Sequence, residues 1–196
     1  MRGIRQHDTR DCGAACLATI LRHYRSFVPM VKIREQMHVD KNGASMFALC
    51  SSAEHFGLSA SGFNGTLNEI IKEVTDGNLH LPLIAHILTE DRLLHYVVIK
   101  KINDKYLYLF DPAKGNRKYK TCEFEELFTG FFVVLTPKED FIPEKRTGKP
   151  YKKFADIVFK QKKTIFICHI VIGCLSRIVN IYFICLPNDS RQIYPK

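Results

Sequence analysis

The sequence predicts an α+β domain in which N-terminal helices pack on a C-terminal antiparallel sheet. Two observations support this. Up to Val74, apolar residues recur at three- and four-residue spacing, as they do on the buried face of a helix. After Pro82 the chain changes to short runs rich in Val, Ile, Tyr and Phe, bounded by turn residues, as strands are. We expect the core of this domain to be complete near Pro137.

Four helices are predicted before residue 82. The first begins at Cys12, and its buried face is indicated by residues with helical spacing: Leu17, Ile20, Leu21 and Tyr24. Pro29 breaks the chain, and a short second helix follows over 31–37. The third carries Met46, Leu49, Ala53 and Phe56, and it ends at Gly57 in the usual C-terminal position. The fourth opens with a capping box from Thr66 to Glu69.

Four strands are predicted after residue 82, at 83–88, 94–102, 105–110 and 131–135, with a short helix over 123–128. If Asn103-Asp104 is a two-residue hairpin loop, Ile102 faces Lys105. That register places His95 opposite Pro112, one position from Asp111. A histidine and a carboxylate would then meet at neighbouring strand ends.

The charge distribution and the cysteine content argue against nucleic-acid binding, a disulfide framework and a zinc site. The net charge of +9 is uneven, because residues 1–150 hold 21 basic and 18 acidic side chains whereas residues 151–196 hold eight and two. The near balance of the first 150 residues argues against a nucleic-acid binder. The seven cysteines are an odd number without C-x-x-C spacing, and no apolar signal run precedes them. A reducing cytosol is expected, with no metal and no cofactor.

Cys12 is the candidate nucleophile because it opens the first predicted helix. Unpaired backbone N–H groups and the positive end of the helix dipole favour a thiolate there. Asp11 is expected to cap the helix, and Gly13 to leave room beside the sulfur for a substrate backbone. The alternative is that Cys12 is a small buried residue, as most free cysteines are and as we expect Cys16 to be.

The predicted hairpin supplies the partners that a thiol nucleophile needs. Asp111 can orient the imidazole of His95 while His95 deprotonates the thiol, the arrangement shared by triad enzymes. His86 is the rival base but lacks an acid at hairpin spacing. The amide of Gln6 can donate to an oxyanion beside the Cys12 backbone N–H. The competing interpretations are an ordinary strand histidine, a turn aspartate and a surface glutamine.

Four stretches carry a family resemblance: Gln6-x-Asp8-x-x-Asp11-Cys12-Gly13-x-Ala15-Cys16-Leu17, Pro82-Leu83-Ile84-Ala85-His86, His95-Tyr96-Val97-Val98-Ile99 and Asp111-Pro112-Ala113. Together with Phe124 and Thr129-Gly130, they resemble the peptidase domain of bacteriocin-processing ABC exporters. The resemblance covers residues 1–137. It implies a papain-like cysteine peptidase that cuts leader peptides of bacteriocin or pheromone precursors after a double-glycine-type motif. By position it implies Cys12 as nucleophile, His95 as base, Asp111 as orienting acid and Gln6 as oxyanion residue.

The rest of the chain is expected to be a basic linker over 138–163, a first transmembrane helix over 164–186 and a polar tail over 187–196. The predicted span holds thirteen Leu, Ile, Val and Phe residues, although Arg177 interrupts it. Lysines before the span would keep the peptidase domain on the cytoplasmic face of a bacterial membrane. The alternative is an amphipathic or buried helix.

Because the sequence has no phosphate-binding loop, the resemblance implies only the front end of an exporter, acting with ABC exporter subunits. Arg25 stands where the family commonly has glycine, a difference that affects only the expected C-terminal cap of the first helix. The alternative function is a non-catalytic leader-binding module or a vestigial exporter fragment.

Overall fold

The computed structural model describes residues 2–40, 43–145, 171–173 and 175–176. Within residues 2–145 as the structure describes them, a 3₁₀ turn (Thr9–Asp11) leads into α1 (Cys12–His23), and the helices that follow are α2 (Met30–Met37), α3 (Met46–His55), α4 (Leu67–Thr75) and α5 (Thr121–Leu127). The strands are β1 (Leu58–Asn64), β2 (Leu83–Leu88), β3 (Leu94–Ile102), β4 (Tyr106–Asp111), β5 (Gly115–Lys120) and β6 (Phe128–Pro137). All neighbouring strands are antiparallel, in the order β1-β6-β2-β3-β4-β5. The predicted α+β class is confirmed.

The predicted helices are present because their local sequences favour them. In α1 every residue from Cys12 to Leu21 is buried, since the helix packs on β3 and against α2 and α3. Helix α3 ends at His55, two residues before Gly57, whose φ of 81° turns the chain away. Thr66 and Glu69 form the predicted capping box at the start of α4.

Two strands were not predicted, and both lie at the edges of the sheet. Strand β1 lies between α3 and α4, so the expectation of helices followed by strands is wrong at this point. Only Leu58 of this strand is buried, so its sequence lacks a clear alternation of apolar and polar residues. Strand β5 has the basic sequence GNRKYK with no buried residue, and it therefore lacks the apolar pattern that reveals central strands.

The predicted register of the β3–β4 hairpin is also wrong. Ile102 pairs with Leu107 rather than with Lys105, and a bulge between Ile99 and Lys101 brings Val98 opposite Phe110. At the turn, the side-chain oxygen of Asn103 accepts hydrogen bonds from the N–H groups of Lys105 and Tyr106. The extra residues change every cross-strand pair, yet the ends of β3 and β4 remain neighbours.

The sheet separates two apolar clusters. On one face α1, α2 and α3 cover Ile84, Val98 and Val133. On the other, α4 and α5 cover inward-facing residues such as Val97 and Leu109. Each central strand therefore alternates between two buried surfaces, which explains the nearly continuous apolar runs of β2 and β3.

The segment after β6 stays hydrogen-bonded to the helical part of the domain. The N–H of Lys138 donates to the carbonyl of Gly57, and the N–H of Glu144 donates to the hydroxyl of Ser26. The first compact unit is Met1–Arg146, so the described part of the predicted linker, 138–145, belongs to that unit.

The predicted membrane span, 164–186, lies outside the described residues except for 171–173 and 175–176, which are helical. Among the helices that the structure describes, none combines the length and the apolar character needed to cross a membrane.

Candidate active site

Three elements bring the predicted site residues together. Cys12 is the first residue of α1, His95 the second residue of β3, and Asp111 the last residue of β4. Helix α1 packs across β3, and β3 pairs with β4, so the start of α1 lies over neighbouring strand ends. All three side chains are buried.

The imidazole of His95 is held by Asp111. Nε2 of His95 lies 2.9 Å from Oδ1 of Asp111. The same oxygen accepts hydrogen bonds from the N–H groups of Ala113 at 2.7 Å and Lys114 at 3.2 Å. The turn after β4 thus fixes the carboxylate. Burial raises the pKa of Asp111, but the His95 hydrogen bond and these backbone donors outweigh it and hold the pKa below its usual range.

Cys12 and His95 shift each other's pKa in the direction of an ion pair. Burial raises the pKa of the Cys12 thiol, yet hydrogen bonds from His95 and from the Tyr96 and Gly13 backbone bring it below its ordinary value. Burial lowers the pKa of His95, but Asp111 and Cys12 together raise it to about 9. Because Asp111 engages Nε2, Nδ1 is the nitrogen available to the sulfur. Both shifts act in the direction of a thiolate next to an imidazolium.

Gln6 lies beside the turn that holds Asp111. Its backbone N–H donates to the carbonyl of Pro112 at 3.2 Å. The side-chain oxygen Oε1 is buried, and within the described part of the chain it has no hydrogen-bond partner. The backbone hydrogen bond to Pro112 places Gln6 at this end of the sheet. Its role as an oxyanion donor stays a prediction.

The region around Cys12 corrects two expectations. Asp11 occupies the N-cap position of α1 but forms no side-chain cap bond. Instead its carboxylate accepts from the N–H of Asp8 at 3.2 Å and pairs with Nε of Arg34 at 3.1 Å, so it ties α2 to the start of α1. Gly13 leaves no space for a substrate, because a Cβ there would lie 3.4 Å from both Ala44 and Tyr96.

Cys16 and His86 have other surroundings. Cys16 is fully buried and its thiol donates to the carbonyl of Tyr96 at 3.3 Å, and burial raises its pKa well above the ordinary value. Cys16 is a core residue, as predicted. The partner of His86 is a hydroxyl and not an acid, because Nδ1 lies 2.8 Å from Oγ1 of Thr129.

A groove of about 940 Å³ passes Cys12. Its floor includes Cys12, His86 and Tyr96. Its rim includes three strongly exposed apolar side chains: Phe47 of α3, Leu93 of the β2–β3 turn and Leu94 at the start of β3. These rim residues were missed from sequence because only the fold brings α3 and the β2–β3 turn to the same groove.

The peptidase C39 family model matches residues 1–140. Over 194 residues the chain is 35% identical to the lactococcin-G-processing and transport ATP-binding protein LagD of Lactococcus lactis subsp. lactis, covering 96% of this chain and 26% of that protein. It is 29% identical over 162 residues to the transport/processing ATP-binding protein ComA of Streptococcus pneumoniae, covering 82% and 22%. The chain thus spans about a quarter of the length of these curated relatives.

Two solved structures share the fold at appreciable identity. One is a double glycine motif protease from an AMS/PCAT transporter, in complex with the leader peptide: TM-score 0.62, 32% identity, covering 69% of this chain and 91% of that one. The other is the peptidase domain of Streptococcus ComA, a bi-functional ABC transporter involved in a quorum-sensing pathway: TM-score 0.63, 26% identity, covering 70% and 98%.

Proposed function

The chain belongs to the peptidase C39 family, and from that premise we propose that it is a cysteine endopeptidase that removes leader peptides from bacteriocin or peptide-pheromone precursors. Cleavage follows a double-glycine-type motif in the leader. The observation that carries the proposal is the buried array of Cys12, His95 and Asp111, of which Cys12 lines an open groove.

Each residue has one role in the proposed reaction. The thiolate of Cys12 attacks the carbonyl carbon of the second glycine, and the resulting oxyanion is stabilised by the amide of Gln6 and the Cys12 backbone N–H. His95 gives its proton to the leaving amine, which departs as the new N-terminus and leaves a thioester. His95 then accepts a proton from water as the water attacks the thioester, and the free leader and the thiolate are released. Asp111 keeps the imidazole oriented throughout.

Two features support a leader peptide as the substrate. The relative solved in complex with a leader peptide shares this fold at 32% identity. The groove combines a reactive floor with a rim of exposed apolar side chains, which suits a peptide that presents apolar residues at some distance from its scissile bond.

The proposed partners follow from the relatives, whose names combine processing with transport and ATP binding. We place the peptidase domain on the cytoplasmic face of a bacterial membrane, where it acts with ABC exporter subunits. Residues 164–186 would attach it there, and the five lysines between 152 and 163 agree with that orientation. ATP binding would reside in the exporter subunits.

The decisive experiment is incubation of the purified chain with a synthetic precursor that contains a double-glycine leader, followed by mass spectrometry. The expected products are the leader ending in Gly-Gly and the remaining peptide. The Cys12→Ala variant is the matched control and should give no product. Binding of the precursor without cleavage by the unaltered chain would support the non-catalytic leader-binding module instead.

A further inference from the structure

His86 has a hydrogen-bond arrangement that fixes its protonation. The hydroxyl of Thr129 donates its only hydrogen to the backbone carbonyl of His86 at 2.9 Å, since a carbonyl can only accept. The same oxygen lies 2.8 Å from Nδ1 of His86, and with its hydrogen already used it can only accept there. Nδ1 therefore carries the hydrogen. In the neutral ring, Nε2 is left as an acceptor.

The surroundings keep this ring neutral, and the ring lines the groove. Burial lowers the pKa of His86, and the nearby charge of His95 lowers it further. The ring packs on Tyr96 with a centroid distance of 4.9 Å and lines the same groove as Cys12. Because Nδ1 contacts Thr129 on β6, Nε2 is the ring nitrogen left for a ligand in the groove that His86 lines.

We propose that His86 is a substrate-binding residue whose Nε2 accepts a hydrogen bond from a backbone N–H of the bound peptide next to the scissile bond. This inference rests on the proposed function for the identity of the peptide. An extended peptide presents backbone N–H groups whatever its side chains, and a neutral imidazole recognises them without opposing the charge of His95. Thr129 is a positioning residue, since it acts by holding the tautomer of His86.

The test combines a protein change with a substrate change. His86→Phe removes the acceptor but keeps a ring against Tyr96. In the substrate, the amides around the scissile bond, except the one cleaved, are replaced one at a time by esters, which removes single N–H donors. KM is measured on the active chain, and dissociation constants are measured in the Cys12→Ala background, where binding is read without cleavage. His55→Phe is the matched control, because His55 is exposed and lies outside the groove.

We expect His86→Phe to raise KM and the dissociation constant about three- to tenfold with kcat nearly unchanged, as for one lost neutral hydrogen bond. One ester position should weaken binding to the unaltered chain by a similar factor and leave binding to His86→Phe unchanged. Thr129→Val should give an intermediate effect. The His55→Phe control should match the unaltered chain.

Absence of any ester position coupled to His86 would overturn the inference, as would an effect of His86→Phe on kcat alone. ¹⁵N spectra of the histidine-labelled chain give a second reading, in which Nδ1 of His86 should be protonated and Nε2 should not. The reverse tautomer would also overturn it. Failure of the unaltered chain to cleave would refute the proposed function, while the binding measurements would still decide the role of His86.

Discussion

The imidazole of His95 and the carboxylate of Asp111 meet at 2.9 Å, although 16 residues separate them in the chain. Their contact depends on the hairpin of β3 and β4, and the Ala113 and Lys114 N–H groups hold the carboxylate in place. The same oxygen of Asp111 therefore serves both the turn and the histidine. Any change at Asp111 will alter the orientation of His95 as well as its charge.

Cys12→Ala should abolish cleavage while leader binding survives, because the thiolate performs the chemistry and the groove rim provides other contacts. Cys16→Ala should keep most of the activity and lower the free energy of unfolding by about 1 kcal/mol, since it removes buried volume and the thiol bond to Tyr96. Product formation, a leader-binding assay and denaturant unfolding measure these effects. Equal loss of activity in two folded variants would contradict the choice of nucleophile.

His95→Ala should be far more damaging than His86→Ala. We expect kcat to fall by roughly 10³-fold or more for His95→Ala, and activity to stay within about tenfold for His86→Ala. Asp111→Asn should fall between them, because an orienting acid assists the base without replacing it. Steady-state kinetics on a leader substrate checks the order. If His86→Ala were the inactive variant, the base would be His86.

The pH dependence should separate the thiolate from the imidazolium. Cleavage should decline as the pH rises through about 9, the raised pKa of His95, because the leaving amine then lacks its proton donor. Alkylation of Cys12 by iodoacetamide should not decline there, since the thiolate persists above that pH. On the acid side both should fall as the thiol is protonated, at a pH below its ordinary pKa.

Asp111→Asn supplies the control for this profile. The asparagine oxygen can still accept from His95, but the acceptor is no longer charged, so the hydrogen bond weakens, the pKa of His95 falls and the alkaline decline should move to lower pH. Labelling of the Cys12→Ala variant gives the background from the other cysteines. An alkaline limb that does not move in Asp111→Asn would show that another group controls it.

For Gln6→Ala we expect kcat to fall about 10²- to 10³-fold with little change in KM, the usual effect of losing one oxyanion donor. Gln6→Glu is a useful companion, because it keeps the size of the side chain but places a negative charge where the oxyanion would form. It should be at least as inactive as Gln6→Ala. A change in KM alone would make Gln6 a binding residue.

The elements that the sequence predicted well are those whose burial imposes a local pattern. Strands β2 and β3 are buried on both faces, and their predicted bounds agree with the structure. Strands β1 and β5 escaped prediction because an exposed edge imposes no such pattern. The register of the β3–β4 hairpin depends on a bulge near Lys101. No residue type in that stretch indicates a bulge, so the register could not be predicted.

In the candidate site, too, features set by local sequence could be predicted, whereas contacts that depend on tertiary packing could not. Cys12 could be placed at a helix start, and His95 and Asp111 at neighbouring strand ends, from spacing alone. The partner of Asp11 could not be predicted, because Arg34 reaches it only when α2 packs beside α1. The Thr129 contact of His86 needs β6 next to β2, an arrangement that follows from the sheet order rather than from chain order.

The last prediction concerns the groove rim and substrate choice. Phe47 has 83% of its surface exposed and lines the groove beyond Cys12, so a leader that docks there would bury it. Phe47→Ala should raise KM about tenfold with kcat nearly unchanged, because burying a Phe side chain stabilises the ground and transition states equally. Phe63→Ala is the matched control, since Phe63 is also exposed but lies on β1, outside the groove.

On the substrate side, replacing either glycine should block cleavage, whereas Leu→Ala or Phe→Ala at one apolar leader position should chiefly raise KM. The apolar leader positions should follow i, i+3, i+4 and i+7 spacing, as in a helix docked by one face. A short peptide holding only the two glycines should be a poor substrate. If such a peptide were cut as efficiently as a full leader and Phe47→Ala left KM unchanged, remote docking on the rim would be excluded.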